Sequence, residues 1–272
     1  MRSLYSIFPA QCVWPQAIDD VRGASHGATE IRLVSGARNL EALQQCGSLK
    51  ALWCFDIDAG ALNKICECSS LESLYVENIK TDDFSLLGKL NRLKILSLDT
   101  CLRVVSLSDL RELKSLSGLA LTHFKNVHAL DPLGDLQQLT ALAVSGSMWT
   151  RMRVTSFEPL GQLQQLGLLR LTNIKAENES LAPLSTLTNL KHLEIANFYP
   201  MREFARLSRK LGSTECAWFR PFVEVTSTTC TQCGGTKVML TGSRKPTVCP
   251  RCDRGKLEKH THEWEEAVRD AA

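Results

Sequence analysis

The chain has 272 residues, of which 44% are hydrophobic and 22% charged, and its formal net charge is +3. This balance is typical of a globular protein and excludes a largely disordered chain, and so small a net charge does not indicate nucleic-acid binding by the whole molecule. The sequence has no apolar run long enough to span a membrane and no secretory-signal pattern at its start. We therefore expect a cytoplasmic protein that does not contact membranes.

The first 199 residues are predicted to form a capped stack of repeats. The pattern L-x-x-L-x-L recurs about eight times in residues 28–199, with successive copies 21 to 27 residues apart. A period in this range is that of leucine-rich repeats. Residues 1–27 precede the first copy and are predicted to be the N-terminal cap, because the ends of such a stack must be covered. The copies begin at Ala28, Leu49, Leu71, Leu93, Leu116, Leu139, Leu166 and Leu190.

This arrangement predicts an α/β leucine-rich-repeat solenoid. Each copy should contribute one strand to a curved parallel β-sheet on the concave face. Short helical or extended segments should return the chain along the convex side, and Pro132, Pro159 and Pro183 suit the start of such segments.

The repeats resemble the short bacterial leucine-rich repeats of the internalin kind, in the phrases DPLGDL at 131–136 and EPLGQL at 158–163. The resemblance covers about residues 28–199 and implies a bacterial protein with a protein-binding solenoid. It fails at the ninth repeat position, where the family usually has an Asn or Cys that bonds loop backbone groups, so packing must stabilise these turns instead. That position holds Ile57, Ile79, Cys101, Phe124, Ser147, Ile174 and Phe198.

Three cysteines lie in repeat positions that other copies fill with aliphatic residues. Cys54 replaces a strand leucine, and Cys46 and Cys68 occupy the return-segment position just before a new copy. We expect them to be small buried hydrophobic residues, without a catalytic role and without disulfide bonds.

The residues between the strand leucines are predicted to face the concave side, because side chains alternate along a strand. In the early repeats these residues are Trp53, Phe55 and Tyr75, next to Glu77 and Asp99, whereas the middle repeats carry small side chains. Aromatic residues exposed in this way often mark protein-binding sites, and acidic neighbours favour a partner with basic groups. The alternative is that the N-terminal cap covers the first two aromatic side chains.

The later repeats supply further candidates for partner binding. Arg170, His192 and Glu194 are predicted on or beside the concave face. An insertion in the longest repeat should form a loop at one rim, where Trp149 and Arg151 have the chemistry of binding hot spots. Alternatively, this loop is packed against the solenoid and has no role in binding.

The C-terminal part is predicted to comprise a cap and connector at 200–225, a zinc ribbon at 226–262 and a tail at 263–272. An amphipathic helix that ends at Gly212 should cover the last repeat. The ribbon should then pack onto this end of the solenoid through Trp218, Phe219 and Phe222, lengthening and capping the stack.

Four cysteines predict a structural Zn2+ site. Two C-x2-C pairs separated by fifteen residues have the spacing of a zinc ribbon, in which two knuckles joined by a hairpin supply four thiolates. Such a site has no open position for a substrate or an activated water. A redox-active dithiol is the alternative, and His260 and His262 are either alternative ligands or surface residues of a polar tail. The predicted ligands are Cys230, Cys233, Cys249 and Cys252.

The ribbon also has a basic edge. Residues 201–260 contain twelve Lys or Arg and five Asp or Glu, a net charge of +7. Nucleic-acid binding is therefore an alternative function, with Arg244, Lys245, Arg251 and Arg254 as candidate contacts. The segment between the first and the last ribbon cysteine has no aromatic residue on which a base could stack, which counts against this alternative.

The sequence contains no motif that indicates an enzyme. Catalysis would require an open metal site or a reactive thiol at Cys101 or Cys216. We therefore predict a non-enzymatic protein–protein interaction module that binds a protein partner through its concave face and takes no small-molecule substrate. A cytoplasmic adaptor, or an immunity protein that neutralises a toxin, would fit this design.

Overall fold

The computed structural model describes residues 4–271, which contain fourteen strands and three α-helices. Nine strands form one sheet: β1 (Ile18–Asp20), β2 (Glu30–Arg38), β3 (Ala51–Ile57), β4 (Ser73–Ile79), β5 (Ile95–Asp99), β6 (Gly118–Thr122), β7 (Ala141–Ser145), β9 (Leu168–Leu171) and β11 (His192–Ile195). A two-stranded sheet contains β8 (Met152–Val154) and β10 (Ile174–Ala176), and a three-stranded sheet contains β12 (Phe222–Thr229), β13 (Thr236–Leu240) and β14 (Thr247–Val248). The helices are α1 (Ala59–Cys66), α2 (Met201–Lys210) and α3 (Arg254–Arg269).

The nine-stranded sheet confirms the predicted leucine-rich-repeat solenoid. Its strands are parallel and follow chain order, apart from the omission of the two short strands β8 and β10. Equivalent repeat positions pair across it, as Leu52 with Leu74, Leu74 with Leu96, and Leu96 with Leu119. Because the register follows the repeat, one face of the sheet presents its leucines to the interior in every copy.

The convex side is formed mainly by short 3₁₀ helices, as the return segments predicted. Pro132, Pro159 and Pro183 each lie in the first turn of one of them, where the fixed φ of proline is favourable. One repeat instead has the α-helix α1, whose first turn is capped by the Asp58 carboxylate, which accepts a hydrogen bond of 2.8 Å from the Ala61 N–H. The 3₁₀ helices of this side are Leu40–Gln45, Ser85–Lys89, Ser108–Glu112, Asp131–Asp135, Glu158–Gln162 and Ala182–Thr186.

The interior is a continuous apolar core in which the predicted cysteines take part. Cys54 is fully buried, and Cys46 and Cys68 are each 4% exposed, so the prediction that they are buried hydrophobic residues is confirmed. The ninth repeat position is buried in five of its seven copies, the exceptions being Ser147 and Phe198. The ring of Phe124, at this position, meets the ring of Phe84 edge to face at 6.5 Å. Side-chain packing therefore replaces the missing asparagine ladder at these turns.

The eighth repeat position turns the chain out of each strand. Five repeats have a left-handed residue there, and a Cβ atom at Gly146, which holds this position in a sixth repeat, would collide with the carbonyl oxygen of Asn173. Short polar side chains and glycine suit such positions, so the residue type at the eighth position is itself a turn signal in the sequence. The left-handed residues are Asp56, Asn78, Thr100, His123 and Asn173, with φ between 48° and 60°.

The C-terminal elements pack on the last repeat. Helix α2 covers the repeat end, and the three-stranded antiparallel ribbon β12–β14 is attached through Asn197, whose side chain bonds the Leu240 carbonyl at 3.0 Å and the Gly242 N–H at 2.6 Å. The Trp218 indole N–H donates to the Ile195 carbonyl at 2.9 Å. The ribbon therefore extends the solenoid instead of hanging from a linker.

The predicted polar tail at 263–272 is wrong. Helix α3 crosses that boundary without interruption and packs against α2, because Trp264 and Ala267 lie on one face of the helix and are 6% and 7% exposed. The prediction that His260 lies on the surface is also wrong, because its side chain is 3% exposed. His262 is exposed, as predicted, and lies 3.1 Å from Glu266. Among residues 4–271, none of the helices combines the length and apolar character needed to cross a bilayer.

Candidate functional site

The concave face is partly covered by the chain's own N-terminal segment, which we define as residues 4–14. Its Ile7 side chain is 1% exposed and rests on the floor of the middle repeats. A Cβ atom at Gly118 would lie 2.5 Å from Ile7 Cγ2, so only glycine leaves room for this contact. The small side chains at the fifth position of the middle repeats are therefore buried beneath the N-terminal segment, and the exposure expected of the concave face is wrong at these positions. The residues packed in this cluster are Tyr75, Ile95, Ala120, Ala141, Ala143 and Leu168.

Tyr75 is buried and does not belong to an exposed aromatic surface. Its side chain is 3% exposed, its hydroxyl donates to the Ser6 carbonyl at 2.7 Å, and its ring meets the Trp14 ring edge to face at 5.1 Å. The expectation that Tyr75 is exposed on the concave face is therefore wrong, and its contact with a partner stays a prediction. The physical reason for its burial is that the N-terminal cap lies across the sheet and not only at the end of the stack.

Trp53 and Phe55 are half-buried and form a stacked pair with ring centroids 5.5 Å apart. Trp14 also contacts Trp53, at 5.3 Å, so the alternative reading that the cap covers these residues applies to Trp53. On the other side, the guanidinium carbon of Arg32 lies 4.3 Å from the centroid of the Trp53 ring. The aromatic pair is thus held rigidly between a cation and the N-terminal segment.

Glu77 and Asp99 place negative charge beside this pair. The Trp53 indole N–H donates to Glu77 Oε1 at 3.1 Å. Burial raises the pKa of Glu77, and the neighbouring Asp99 carboxylate raises it further, while the indole hydrogen bond and Arg32 act in the opposite direction. Glu77 is thus a partly desolvated carboxylate beside a second negative charge.

A band of the concave face remains open beside the N-terminal segment. It is formed by the seventh position of the second to the seventh repeat, and we call it the open strip. Its side chains are half-buried and lie near the ends of the strands, outside the apolar cluster that packs against Ile7. The residues of the open strip are Phe55, Glu77, Asp99, Thr122, Ser145 and Thr172.

The charged candidates of the late repeats have partners within the chain. Arg170 pairs with Glu194 at 2.5 Å, and its guanidinium carbon lies 4.0 Å from the centroid of the Phe8 ring. His192 Nδ1 lies 3.0 Å from a carboxylate oxygen of Glu215. Arg170 therefore helps to hold the N-terminal segment, and Glu194 is the exposed member of this group. Their part in partner binding stays a prediction.

The insertion in the longest repeat forms a loop at the rim, as predicted. Trp149 is 90% exposed and the neighbouring Met148 is 84% exposed. The loop is nevertheless anchored, because the Asn173 side-chain amide donates to the Ser147 carbonyl at 2.5 Å and the Arg151 guanidinium lies 3.7 Å from the centroid of the Phe198 ring. A large aromatic side chain is thus presented to solvent from a fixed position.

The ribbon brings the four predicted cysteine ligands together. All four Sγ atoms lie within 4.8 Å of one another, with Cys230 and Cys252 3.8 Å apart and Cys233 and Cys249 3.5 Å apart. Four thiolates around one tetrahedral zinc ion, at about 2.3 Å from the metal, would have sulfur–sulfur separations of about 3.8 Å. The geometry fits, so the four cysteines could hold a metal ion.

Backbone geometry of the first knuckle favours the ionised form of the Cys230 thiol. The N–H groups of Cys233 and Gln232 point at the Cys230 sulfur and lower the pKa of that thiol to about 6. The first knuckle is closed by a 2.8 Å bond from the Gly234 N–H to the Cys230 carbonyl, and Gly234 has a φ of +70°. In the second, the Asp253 N–H donates to the Cys249 carbonyl at 2.8 Å. These hydrogen bonds preorganise the sulfur atoms for a cation.

The basic edge of the ribbon is partly neutralised. Lys245 lies 3.5 Å from Glu263 of α3, and Arg254 lies 2.7 Å from Glu258. Arg244 and Arg251 have no such carboxylate partner within the described residues. The ion pairs reduce the charge that a phosphate backbone would meet, and nucleic-acid binding by this edge stays a prediction.

The two other cysteines considered as nucleophiles have the environment of inert thiols. Burial raises the pKa of Cys216 to about 11, and burial raises the pKa of the fully buried Cys101 as well. A thiol in such surroundings is neither ionised nor accessible at neutral pH. This observation supports a role in core packing.

Sequence reasoning offered the N-terminal cap only as an alternative cover for Trp53 and Phe55, and it missed that the segment reaches the middle repeats. A signal was present, because Gly118, Ala120, Ala141 and Ala143 leave a gap at four neighbouring positions that normally carry partner-binding side chains. An apolar segment elsewhere in the chain was needed to fill that gap. Several aliphatic and aromatic residues near the N-terminus could have done so, and the sequence alone does not single out Ile7.

Comparison with known proteins identifies structural likeness only. No protein-family model and no curated protein matches the chain. A leucine-rich-repeat protein of Leptospira interrogans is 22% identical with a TM-score of 0.50, covering 63% of this chain and 43% of its own. Internalin C2 of Listeria monocytogenes is 23% identical with a TM-score of 0.46, covering 62% of this chain and 70% of its own. The present chain thus spans less than half the length of the Leptospira protein. The aligned repeats, the parallel sheet and the likeness to the Leptospira protein establish that the chain has the leucine-rich-repeat fold.

Proposed function

We propose that this chain is a non-enzymatic protein-interaction module that binds its partner along the open strip of the concave face. The observation that carries the proposal is a rigid sheet that presents Phe55, Glu77 and Asp99 in a half-buried row beside the covered floor. Such residues lose little conformational entropy on binding, because packing has already ordered them. The N-terminal segment stays in place and forms one wall of the binding surface.

The chemistry of the open strip favours a partner with basic groups. Glu77 has a raised pKa because it is partly desolvated beside Asp99, so a cation placed between the two carboxylates would stabilise their ionised forms. Phe55 supplies apolar area next to them. Aromatic anchors in well-packed, desolvated pockets are among the residues that contribute most to the binding energy of protein interfaces.

We propose that the ribbon binds Zn2+ in a structural role. The donor set of four thiolates suits zinc, and it leaves no coordination position for a substrate or a water. Its purpose in this proposal is to stabilise a small cap that lengthens the solenoid. The ribbon is attached through Asn197 and Trp218, as expected of an element that closes the stack.

The proposed setting is the bacterial cytoplasm, where the module would act as an adaptor or as an immunity protein that neutralises a toxin. Seven cysteines lie outside the metal cluster, and most of them are packed as apolar residues. A reducing compartment preserves such thiols. The carboxylates of the open strip would suit a toxin with a basic surface, since an inhibitor gains both affinity and association rate from charge complementarity.

Affinity capture with variants of the open strip tests the proposal. We would compare the wild-type protein with Phe55→Ser and with Asp99→Lys, and identify captured proteins by quantitative mass spectrometry. Both variants should lose the same partner by at least about tenfold, because a central aromatic contact and a charge are removed.

A matched control variant tests whether a loss of binding is specific to the open strip. Lys210→Glu changes an exposed charge at the end of α2, remote from the concave face, and should leave recovery unchanged. Equal recovery of every protein by wild type, Phe55→Ser and Asp99→Lys would contradict binding at the open strip.

A further inference from the structure

A second surface lies at the rim, in the loops that follow three consecutive strands of the sheet. It comprises residues 100–106, 123–129 and 146–153, and we call it the rim patch. These loops contain Arg103, Lys125, Arg151 and Arg153 and two histidines, but not one Asp or Glu. The loops on either side are acidic, with Asp82 and Asp83 before the patch and Glu177 and Glu179 after it.

The rim patch also has most of the exposed large apolar side chains of the described chain. Leu102 is 38% exposed, Val105 69%, Met148 84% and Trp149 90%, and only three other large apolar residues among 4–271 are exposed. Single exposed apolar residues are common, but a concentration of them on one surface indicates an interaction site.

The three loops form one continuous surface because they are hydrogen-bonded to each other. The Asn126 side-chain amide donates to the Leu102 carbonyl at 2.7 Å, which joins the first loop to the second. The Thr155 N–H donates to the His128 carbonyl at 2.9 Å, which joins the second to the segment after the third. The exposed apolar and basic groups are thus fixed relative to one another.

The charges of the rim patch are not neutralised by carboxylates of the described residues, and the one contact described above for them is that of the Arg151 guanidinium with the Phe198 ring. Among residues 4–271, no carboxylate lies within 4.0 Å of the cationic groups of Arg103, Lys125, Arg151 or Arg153, although ion pairs are frequent elsewhere on the surface. The strand β8 alternates so that Met152 and Val154 are buried and Arg153 points outward. Four cations without acidic neighbours create a positive potential over an apolar surface.

We infer that the rim patch binds an acidic protein segment with apolar side chains, in addition to the contacts of the open strip. Carboxylates of the segment would meet Arg103, Lys125 and Arg153, and an apolar side chain would pack on Trp149 and Met148. The exposed aliphatic groups distinguish this ligand from a nucleic acid, because phosphates gain nothing from contact with them. The inference shares one premise with the proposed function, namely that the ligand is a protein.

The test uses the full chain and defined probes. A fluorescein-labelled peptide in which Asp and Glu alternate with Leu and Phe is titrated with the protein, and binding is followed by fluorescence anisotropy. A matched peptide with Lys in place of every acidic residue and a single-stranded oligo-dT serve as comparison probes. We expect the acidic peptide to bind at least about tenfold more tightly than the lysine peptide, with an affinity that falls as salt is added.

Variants locate the binding site. Trp149→Ser, and the double change Arg103→Glu with Lys125→Glu, should each weaken binding of the acidic peptide by about tenfold, whereas Trp149→Phe should retain it. All three positions are exposed, so thermal unfolding should be unchanged. Matched controls are Val13→Ser, which removes an apolar residue that is 93% exposed elsewhere, and Arg209→Glu with Lys210→Glu on α2.

The outcomes separate this inference from the proposed function. Equal affinity for the acidic and lysine peptides, or equal losses in the rim and control variants, would overturn the inference. Tighter binding of oligo-dT that depends on the same residues would reassign the rim patch to nucleic acid. In a further outcome, partner capture depends on Phe55 while the acidic peptide binds Trp149→Ser as tightly as wild type. That result would support partner binding at the open strip and contradict peptide binding at the rim patch.

Discussion

One continuous apolar core runs through the solenoid, from Val21 beside the first strand to Ala267 in α3, whereas the ribbon has its own cluster of only three buried apolar residues. The repeats stabilise each other by stacking, and every added copy enlarges the same core. The ribbon is too small to do this, so its strands depend on the cysteine cluster and on docking to the solenoid. The solenoid and the ribbon are therefore neighbours in the chain but are stabilised by different interactions.

The largest expected effect is the loss of the ribbon when its metal is removed. Chelation, or the substitution Cys249→Ser, should unfold β13 and β14, because metal binding contributes on the order of 10 kcal/mol to the folding of small zinc modules. The solenoid should stay folded. Hydrogen exchange at Val238 would report the ribbon and exchange at Leu119 the solenoid, with the metal content measured in parallel. Equal protection of both amides after chelation would contradict the division into two sources of stability.

A substitution in the solenoid core should destabilise the solenoid and leave the metal site of the ribbon intact. Phe124→Ala leaves a cavity at a fully buried ninth position beside Phe84, and we expect the free energy of unfolding to fall by about 3–5 kcal/mol. Denaturant unfolding measures this loss. The neighbouring change Lys125→Ala, on an exposed side chain, is the control and should have little effect. Zinc content should be the same in both variants.

Ile7 adds to the comparison of the solenoid with the ribbon, because the solenoid buries its side chain although the residue lies outside the repeats. Ile7→Ala should cost about 2–3 kcal/mol and should release the N-terminal segment from the floor. Faster hydrogen exchange in residues 4–14, with the repeat amides unchanged, would report this release. Val13→Ala is the matched control, since that side chain is 93% exposed. If Ile7→Ala leaves protection of the segment unaltered, Ile7 does not anchor it.

The smallest expected effect is a dependence on pH at the junction of the two regions. Burial, and then the charge of Lys245, lowers the pKa of His260, while Glu263 and the Pro221 carbonyl oppose this shift. The ring Nε2 lies 3.0 Å from the Pro221 carbonyl, so we assign the proton of the neutral ring to Nε2. Nδ1 is buried and has no hydrogen-bond partner, so a second proton there would be unsatisfied.

The sign of this dependence follows from the lowered pKa. The unfolded state, with an ordinary pKa of about 6.5, takes up the proton before the folded state does. The stabilising effect of the neutral His260 is therefore present above pH about 6.5 and declines as the pH falls below it. Thermal unfolding of α3 between neutral and mildly acidic pH should show this decline, and His260→Gln should reduce it. An unchanged pH dependence in that variant would assign the decline to another group, such as the cysteine cluster.

The local parts of this structure were predictable because they depend on residues close together in the chain. Leucine spacing predicted the strands and their register, since each repeat pairs with its neighbours in sequence. The cysteine spacing predicted that the four thiols converge, because two knuckles and a hairpin bring them together. The burial of Cys46 and Cys68 followed from their repeat positions alone.

The sites that were mispredicted depend on contacts between distant segments. Tyr75 was expected in a binding surface but lies beneath Trp14, and His260 was expected in a polar tail but lies against Pro221. Nothing in the periodicity of a repeat says which outside segment will cover it. Helix α3 has one apolar face, and the sequence does not indicate which element that face contacts. The tertiary structure shows that it packs on α2.

By itself the sequence determined the repeat stack, the direction of its side chains and the cysteine cluster, because alternation and spacing act over a few residues. Only the tertiary structure decided which part of the concave face is open. Ile7 reaches the middle repeats from more than a hundred residues away in the chain and fills the gap above Gly118. A contact of that kind is set by shape and by the free energy of burying apolar surface, which no local pattern encodes.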